Sequence, residues 1–561
     1  MNAPCIRLIL CLLLSGPALA AKSYYVSSVS GNDAYSGTNA NAPWRSIAKI
    51  NQLELGPGDR IYLRAGEKFR DAGLVFTADD NGTTTQPIVI DIYGGDARAV
   101  VMPPPGQHGI NIYNTGGITV RNLHLLGQGP AQSAAQSKNG VSLWCDLKNG
   151  EKKSGLRFEN LLVAWFYKGI VIGADDASLS GFVDVVVADC TVQSCLADGI
   201  VSFGRQPGTA AQQSHRNLQV LRTTVSKCYG DPNHKASHSG SGIILSGTIG
   251  GLIDECVAHD NGGGATGQKS GGGPVGIWCW GCDGVTIQRS LVYNQKTTPG
   301  VNDGGGFDID GGATNCVIQH CFSYHNEGYG FLVCEFKGAA PLTHATVRHN
   351  VSWHDGRARG QAGLGIWNGN PSGESFREVV FHHNTIIVDQ RADSLVKLGY
   401  ESNPLSAVFY NNLFIRTGGS KLINVDRHVD TLTFKGNLYW TDSGDPQWVW
   451  GQGTFQSLDA WRTAAGRPET HRDAPVGLHA DPRLTDARNG HAATRIEHLK
   501  TMTAFLPAAD SPAINAALDL SSPEFGPVAP GEFDFSGARL GARARTIGAS
   551  QPSPLAGPSM P

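Results

Sequence analysis

The stretch VNDGGGFDIDGG, residues 301–312, sets Asp303, Asp308 and Asp310 among glycines. If this stretch is extended, Asp308 and Asp310 share one strand face with their Cα atoms roughly 6.5–7 Å apart. Two carboxyls that close do not ionise independently: one is pushed up in pKa and stays protonated beside an ionised partner. That pairing suits glycoside hydrolysis, where one carboxyl protonates the leaving oxygen and the other acts as nucleophile or as base for water. Asp303 precedes the glycine turn and can fold back toward the same place. The same three side chains also suit calcium, which prefers oxygen ligands, and turn formation in a glycine-rich chain is the plain alternative. A carboxyl separation of about 5–5.5 Å goes with retention and about 6.5–9.5 Å with inversion; rotamers alone span both.

What must position these residues shows as a repeat. The segments LRFENLLV, VVADCTVQ, VLRTTVSK, LIDECVAH, TIQRSLVY, VIQHCFSY, TVRHNVSW, VFHHNTII and VFYNNLFI align on a small polar residue, namely Asn160, Cys190, Thr224, Cys256, Ser290, Cys321, Asn350, Asn384 and Asn412. Short β-type runs at a period near 30 predict an all-β parallel solenoid, each coil burying its inward side chains against the coils above and below. In-phase small polar residues predict ladders at a turn.

A glycine opens a strand in each coil, in DGIVSF, SGIILS, VGIWCW, GGFDID, YGFLVCE and LGIWNG. This register places Ile200, Ile243, Ile277, Phe307, Phe331 and Ile366 in equivalent inward positions, and alternation turns the residues between them outward. The outward stripe then contains Trp278 and Trp280 one coil before Asp308 and Asp310, and Trp367 two coils after. Tryptophans facing solvent beside carboxyls predict a carbohydrate platform. Glu327 and Glu335 are further candidates for the groove, although Glu335 continues its strand on the face opposite Cys334 and reaches out only through a bulge. The loop stretches 230–242 and 259–274 flank the groove, with His234, His238 and Lys269 as candidate substrate contacts.

The N-terminus MNAPCIRLILCLLLSGPALA has an early arginine, a short apolar run and a small-residue ending, the pattern of a secretory leader cleaved after Ala20. The expected location is secreted or periplasmic. A formal charge of -3 offers nothing to nucleic acid, and the leader's apolar run is too short to span a bilayer. The 72 glycines in 561 residues exceed the usual share of about 7% and suit many short strands and turns. Ten cysteines remain beyond the leader, an even number that permits disulfides. Cys279 and Cys282 have CxxC spacing, but no second such pair lies nearby to complete a zinc site. The expected organisation is a leader at 1–20, a cap and first coils at 21–110, the β-helix core with its groove at 111–440, and C-terminal coils, a helical insertion and a capping tail at 441–561. A monomer that contacts neither membrane nor nucleic acid is expected.

With these motifs the chain resembles the secreted right-handed parallel β-helix proteins of the pectate-lyase-like superfamily. Residues 24–66 look like their N-terminal cap, with a helix near Ile47 to Leu53, and DSPAIN, FDFSG and TIGA resemble their closing motifs. DGGGFDIDGG resembles the carboxylate-bearing strand of β-helix glycosidases, which implies a glycoside hydrolase with Asp303, Asp308 and Asp310 catalytic and no cofactor. The superfamily's lyases carry a comparable strand that binds calcium, which implies instead calcium on the same three aspartates and a base such as Lys337, Arg357 or Arg359. A C5-epimerase would share that proton abstraction, and a non-catalytic glycan-binding β-helix is the third reading.

Overall fold

The computed structural model describes residues 20–552 apart from 130–137, 206–212, 235–237, 265–272, 298–302, 359, 372–375, 400–402, 404, 488–492, 527 and 541–545. Lys269, Arg359 and almost all of the leader therefore lie outside the described residues.

Three sheets of 14 strands run along the chain, and successive strands of each sheet come from successive coils. The first begins at Ser23–Val26, the second at Leu74–Phe76 and the third at Lys68–Phe69. All pairings are parallel until Gln447–Trp450 turns back antiparallel onto Gly453–Phe455. The expected all-β solenoid is thus the observed fold. Arg60–Arg64 pairs with Ile88–Tyr93, within the stretch 21–110 that holds the first coils. A one-turn helix, Ile47–Ile50, closes the first end. Ser46 accepts the Lys49 N–H as its N-cap, and Ile47 and Ile50 are buried over the open coil. Among the described residues no helix is long and apolar enough to cross a membrane.

One corner explains the 30-residue period. A residue in the left-handed region turns the chain between the first and third sheets: Asp189, Arg222, Glu255, Arg289, His320, His349, His383 and Asn411 have φ between 46° and 56°. The next residue points inward and binds the coil above. Cys321, Asn350, Asn384 and Asn412 each donate their backbone N–H to the Oδ1 of Asn350, Asn384, Asn412 and Asn437, at 2.8–3.1 Å. The ladder differs from the sequence alignment at two coils. Asn160, with φ 52°, is itself the left-handed residue, and Thr223 rather than Thr224 accepts the Cys190 N–H. Glu469 ends the ladder, accepting from the Gly436 N–H and the Asn437 amide; burial pushes its pKa up to about 7.

A second column lies at the entrance to the middle sheet. Gly169, Gly199, Gly242, Gly276 and Gly306 stack so closely that a Cβ on each would meet the carbonyl oxygen of the next coil's glycine at 2.3–2.8 Å. On Gly276 the added carbon would also stand 2.2 Å from Val292. Overpacking of this kind costs about 1–3 kcal/mol. Gly276→Ala is therefore expected to lower unfolding free energy by about 2 kcal/mol or more, read as a fall in the denaturant midpoint at unchanged slope; an unchanged midpoint would show that the column is not tight.

Candidate active site

The carboxyl strand is Gly305–Ile309, paired on one side with Val275–Trp280 and on the other with Phe331–Glu335. Phe307 and Ile309 point inward and are fully buried; the Phe307 ring stacks on Phe331 at 5.4 Å. Alternation then turns Asp308 and Asp310 to the outer face, as the sequence predicts. Trp278 is paired with Asp308 and Cys279 with Ile309, which brings Trp280 level with Asp310. On the far side the register differs from the sequence expectation by two residues. Phe331 pairs with Leu364 rather than Ile366, because Leu364 and Ile366 are both inward apolar residues of one strand. Asp308 is thus followed along the solenoid by Leu332 and Gly365. Asp310 lies in a column of Trp280, Asp310, Cys334 and Trp367.

The outer face is not open water. Asp308 is 3% exposed and Trp278 likewise 3%, which corrects the expectation that both meet solvent. Trp278 packs with Val171, Val201, Ile244 and Val275 in an outer apolar layer, and His238 covers it edge-on at 4.7 Å between ring centroids. Trp278 therefore presents no open platform to a sugar, and His238 is a cover for that ring. His238 Nδ1 and Trp278 Nε1 are both buried without a hydrogen-bond partner. Trp280 and Trp367 are half-buried, and Phe336 meets Trp280 edge-on. Those two tryptophans keep the platform role available.

The three aspartates differ. Asp303 sits in the left-handed region at φ 65° just before Gly304; its Oδ2 accepts the Gly273 N–H at 2.8 Å, and burial raises its pKa to about 6. Asp310 accepts the Gly311 N–H at 2.6 Å. Burial lifts it to about 7, with the Asp303 and Glu335 charges adding to the rise. Asp308 lies deepest. Burial first, then the charges of Asp310 and Asp303, hold its carboxyl well above the usual range. The Cys334 thiol stands 3.6–3.7 Å from both Asp308 oxygens, and one ligand atom from each of Asp308, Asp310 and Cys334 lies within 4.8 Å of the others. Cys334, an outward residue given no role from sequence, thus bridges the two carboxyls. A thiol in the set fits calcium poorly, since that ion prefers oxygen ligands.

Both glutamates do other work. Glu335 is fully buried and accepts from Asn370 Nδ2 at 2.6 Å and the Leu342 N–H, so it stays on the inner side of its strand and touches no groove. Glu327 holds a loop, accepting the Thr297 N–H at 2.7 Å and pairing with Lys296. All ten cysteines beyond the leader are buried and free. Cys316, from the next coil, brings a third thiol to Cys279 and Cys282, with Cys282 and Cys316 sulfurs 3.5 Å apart.

The folded pKa values of Asp303 and Asp310 lie above the ordinary 3.8, so the native chain binds more protons than the unfolded chain between about pH 4 and 7. The stability these groups contribute is whole below that window and is lost as pH rises through it. Asp310→Asn is expected to melt like the parent near pH 4 and at a higher temperature than the parent at pH 8; a lower melting point at pH 8 would contradict the burial argument.

No protein-family model matches the chain. It is 25% identical over 514 residues to a lacto-N-biosidase of Bifidobacterium longum subsp. longum, a match covering 76% of this chain and 31% of that protein. The chain thus spans about a third of the length of the curated relative it matches. Two crystal structures of the GH136 lacto-N-biosidase from Eubacterium ramulus share the fold. The selenomethionine derivative has a TM-score of 0.52 at 18% identity and the native protein 0.50 at 16%, each covering 69% of this chain and 67% of the other. The chain is a β-solenoid of the kind found in these carbohydrate-active proteins.

Proposed function

We propose that the chain is a glycoside hydrolase whose working carboxyls are Asp303 and Asp310. The observation that carries this reading is Asp310 set in a column between Trp280 and Trp367, with burial raising both its carboxyl and that of Asp303 above the usual range. Acid and base held near the operating pH are what the reaction needs. Asp308 and Asp310 sit side by side on one strand face and share one thiol, so they do not stand on opposite sides of a sugar ring. Asp303 approaches from beyond the glycine turn, close enough to raise both by its charge, and is the better second member. Asp308 then serves as a neutral support that keeps Asp310 in place through Cys334.

The similarity to a lacto-N-biosidase over three quarters of the chain supports a glycosidic bond in an oligosaccharide as the target. In this reading the chemistry draws on the chain's own carboxyls without a cofactor, the leader pattern supports a secreted or periplasmic location, and the enzyme works as a monomer. Trp280 and Trp367 bind the sugar rings through their exposed faces.

The test is product chemistry. On a panel of glycans and chromogenic glycosides, new reducing ends are expected without the ultraviolet absorbance of an unsaturated uronate. Asp303→Asn and Asp310→Asn should each lower kcat by about a thousand-fold, whereas Asp308→Asn should retain far more activity because it replaces a carboxyl that is already neutral. Unsaturated products would establish a lyase. Full activity in both Asp303→Asn and Asp310→Asn would remove the assignment, and binding without turnover on every glycan would mark a receptor.

A further inference from the structure

On the corner opposite this chemistry, in sequence terms 40 to 80 residues later, three histidines of adjacent coils converge. His349 and His383 are equivalent left-handed corner residues, and His382 ends the strand Val379–His382. All three are buried, and one ring nitrogen from each lies within 4.8 Å of the other two. The C-terminal segment crosses directly over them. We propose that His349, His382 and His383 bind one borderline divalent cation of the zinc, nickel or copper kind, and that this ion fastens the C-terminal segment to the coils.

The hydrogen bonds set the ligand atoms. His349 Nε2–H donates to Pro530 O at 2.9 Å, which leaves a lone pair on Nδ1. That Nδ1 is buried with no partner. His382 Nε2–H donates to Ala529 O at 3.2 Å, so its Nδ1 is also a lone pair. A backbone carbonyl behind the ring is the usual way a metal-binding imidazole is oriented. His383 Nδ1 is 2.9 Å from His382 Nδ1. Asn411, whose amide is held by both the N–H and the carbonyl of Leu518, directs its Nδ2 at His383 Nε2 from 3.3 Å. Without a cation, His383 carries its proton on Nδ1 and shares it with His382. Binding moves that proton to Nε2, the long contact to Asn411 yields, and no proton is lost from the site.

Burial holds all three imidazoles neutral, His383 down to about 3 and the others well below the usual range, and neutral imidazole suits zinc, copper and nickel. Arg348 donates to Gln319 Oε1 and to Ala529 O, the carbonyl that also accepts from His382, and its charge lowers His349 and His382 further. Simple docking of the tail explains the two Nε2 bonds but leaves His349 Nδ1 buried and unused, which is unfavourable for such an atom.

Tag-free full-length protein refolded with Zn2+ and dialysed should retain one zinc per chain by elemental analysis and melt at a higher temperature than the chelator-treated protein. His349→Gln and His383→Gln should each weaken zinc binding at least about tenfold. Should either variant fail to fold, Cu2+ bound to the wild type is read by pulsed electron paramagnetic resonance, where couplings to imidazole nitrogens are expected. Absence of stoichiometric zinc, absence of those couplings, or undiminished binding in the folded variants would overturn the site.

Discussion

From Asp189 to Asn411, each coil is anchored by one residue in the left-handed region followed by one small inward side chain in contact with a neighbouring coil. The first turns the chain sharply without a loop, and the second prevents the coils from sliding past one another. The Asn350, Asn384, Asn412 and Asn437 ladder satisfies both the backbone N–H and the side-chain amide at each step, so removing one member strands groups on two coils. Because parallel stacking gives every coil two neighbours, the ends need separate solutions. The Ile47–Ile50 helix covers one, and Glu469 caps the ladder near the other. The positions of Trp280, Asp310, Cys334 and Trp367 in one column follow from this locked register.

The carboxyl site sits within an otherwise apolar outer layer, and its electrostatics follow from that. Burial is the leading cause of the raised pKa at all three aspartates, ahead of their mutual repulsion. Asp308, as little exposed as its strand neighbour Trp278, shows the effect most strongly. A chain selected only for stability would carry amides here.

Sequence patterning captured most of this frame. Alternation along GGFDID correctly separated Phe307 and Ile309 from Asp308 and Asp310, because a period of two is a local property of a strand. The misalignments have equally local causes. Asn160 is acceptable both as ladder residue and as left-handed residue, so a one-residue slip is invisible in composition. LGIW offers two inward apolar residues, and a two-residue slip preserves the face while changing the neighbour from Leu364 to Ile366. The burial of Trp278 and Asp308 could not be read in this way, since it depends on a cover such as His238, some forty residues earlier. Nor could Glu335, whose partner Asn370 comes from the next coil, or the approach of Cys316 to the CxxC pair. The site residues that sequence placed best were those within one short strand.

The glycine column gives the fold a property of a different order. Because successive coils meet through nearly identical glycine contacts on this face, a coil can be duplicated or deleted in the gene with little local penalty at the column. The aspartates occupy a single coil, however, with Trp280 on the coil before and Trp367 on the second coil after. Lineages of this solenoid are thus free to grow or shrink at its ends, while any gain of a coil between residues 280 and 367 would move a tryptophan one rung from the acids and change the length of sugar chain the groove accepts.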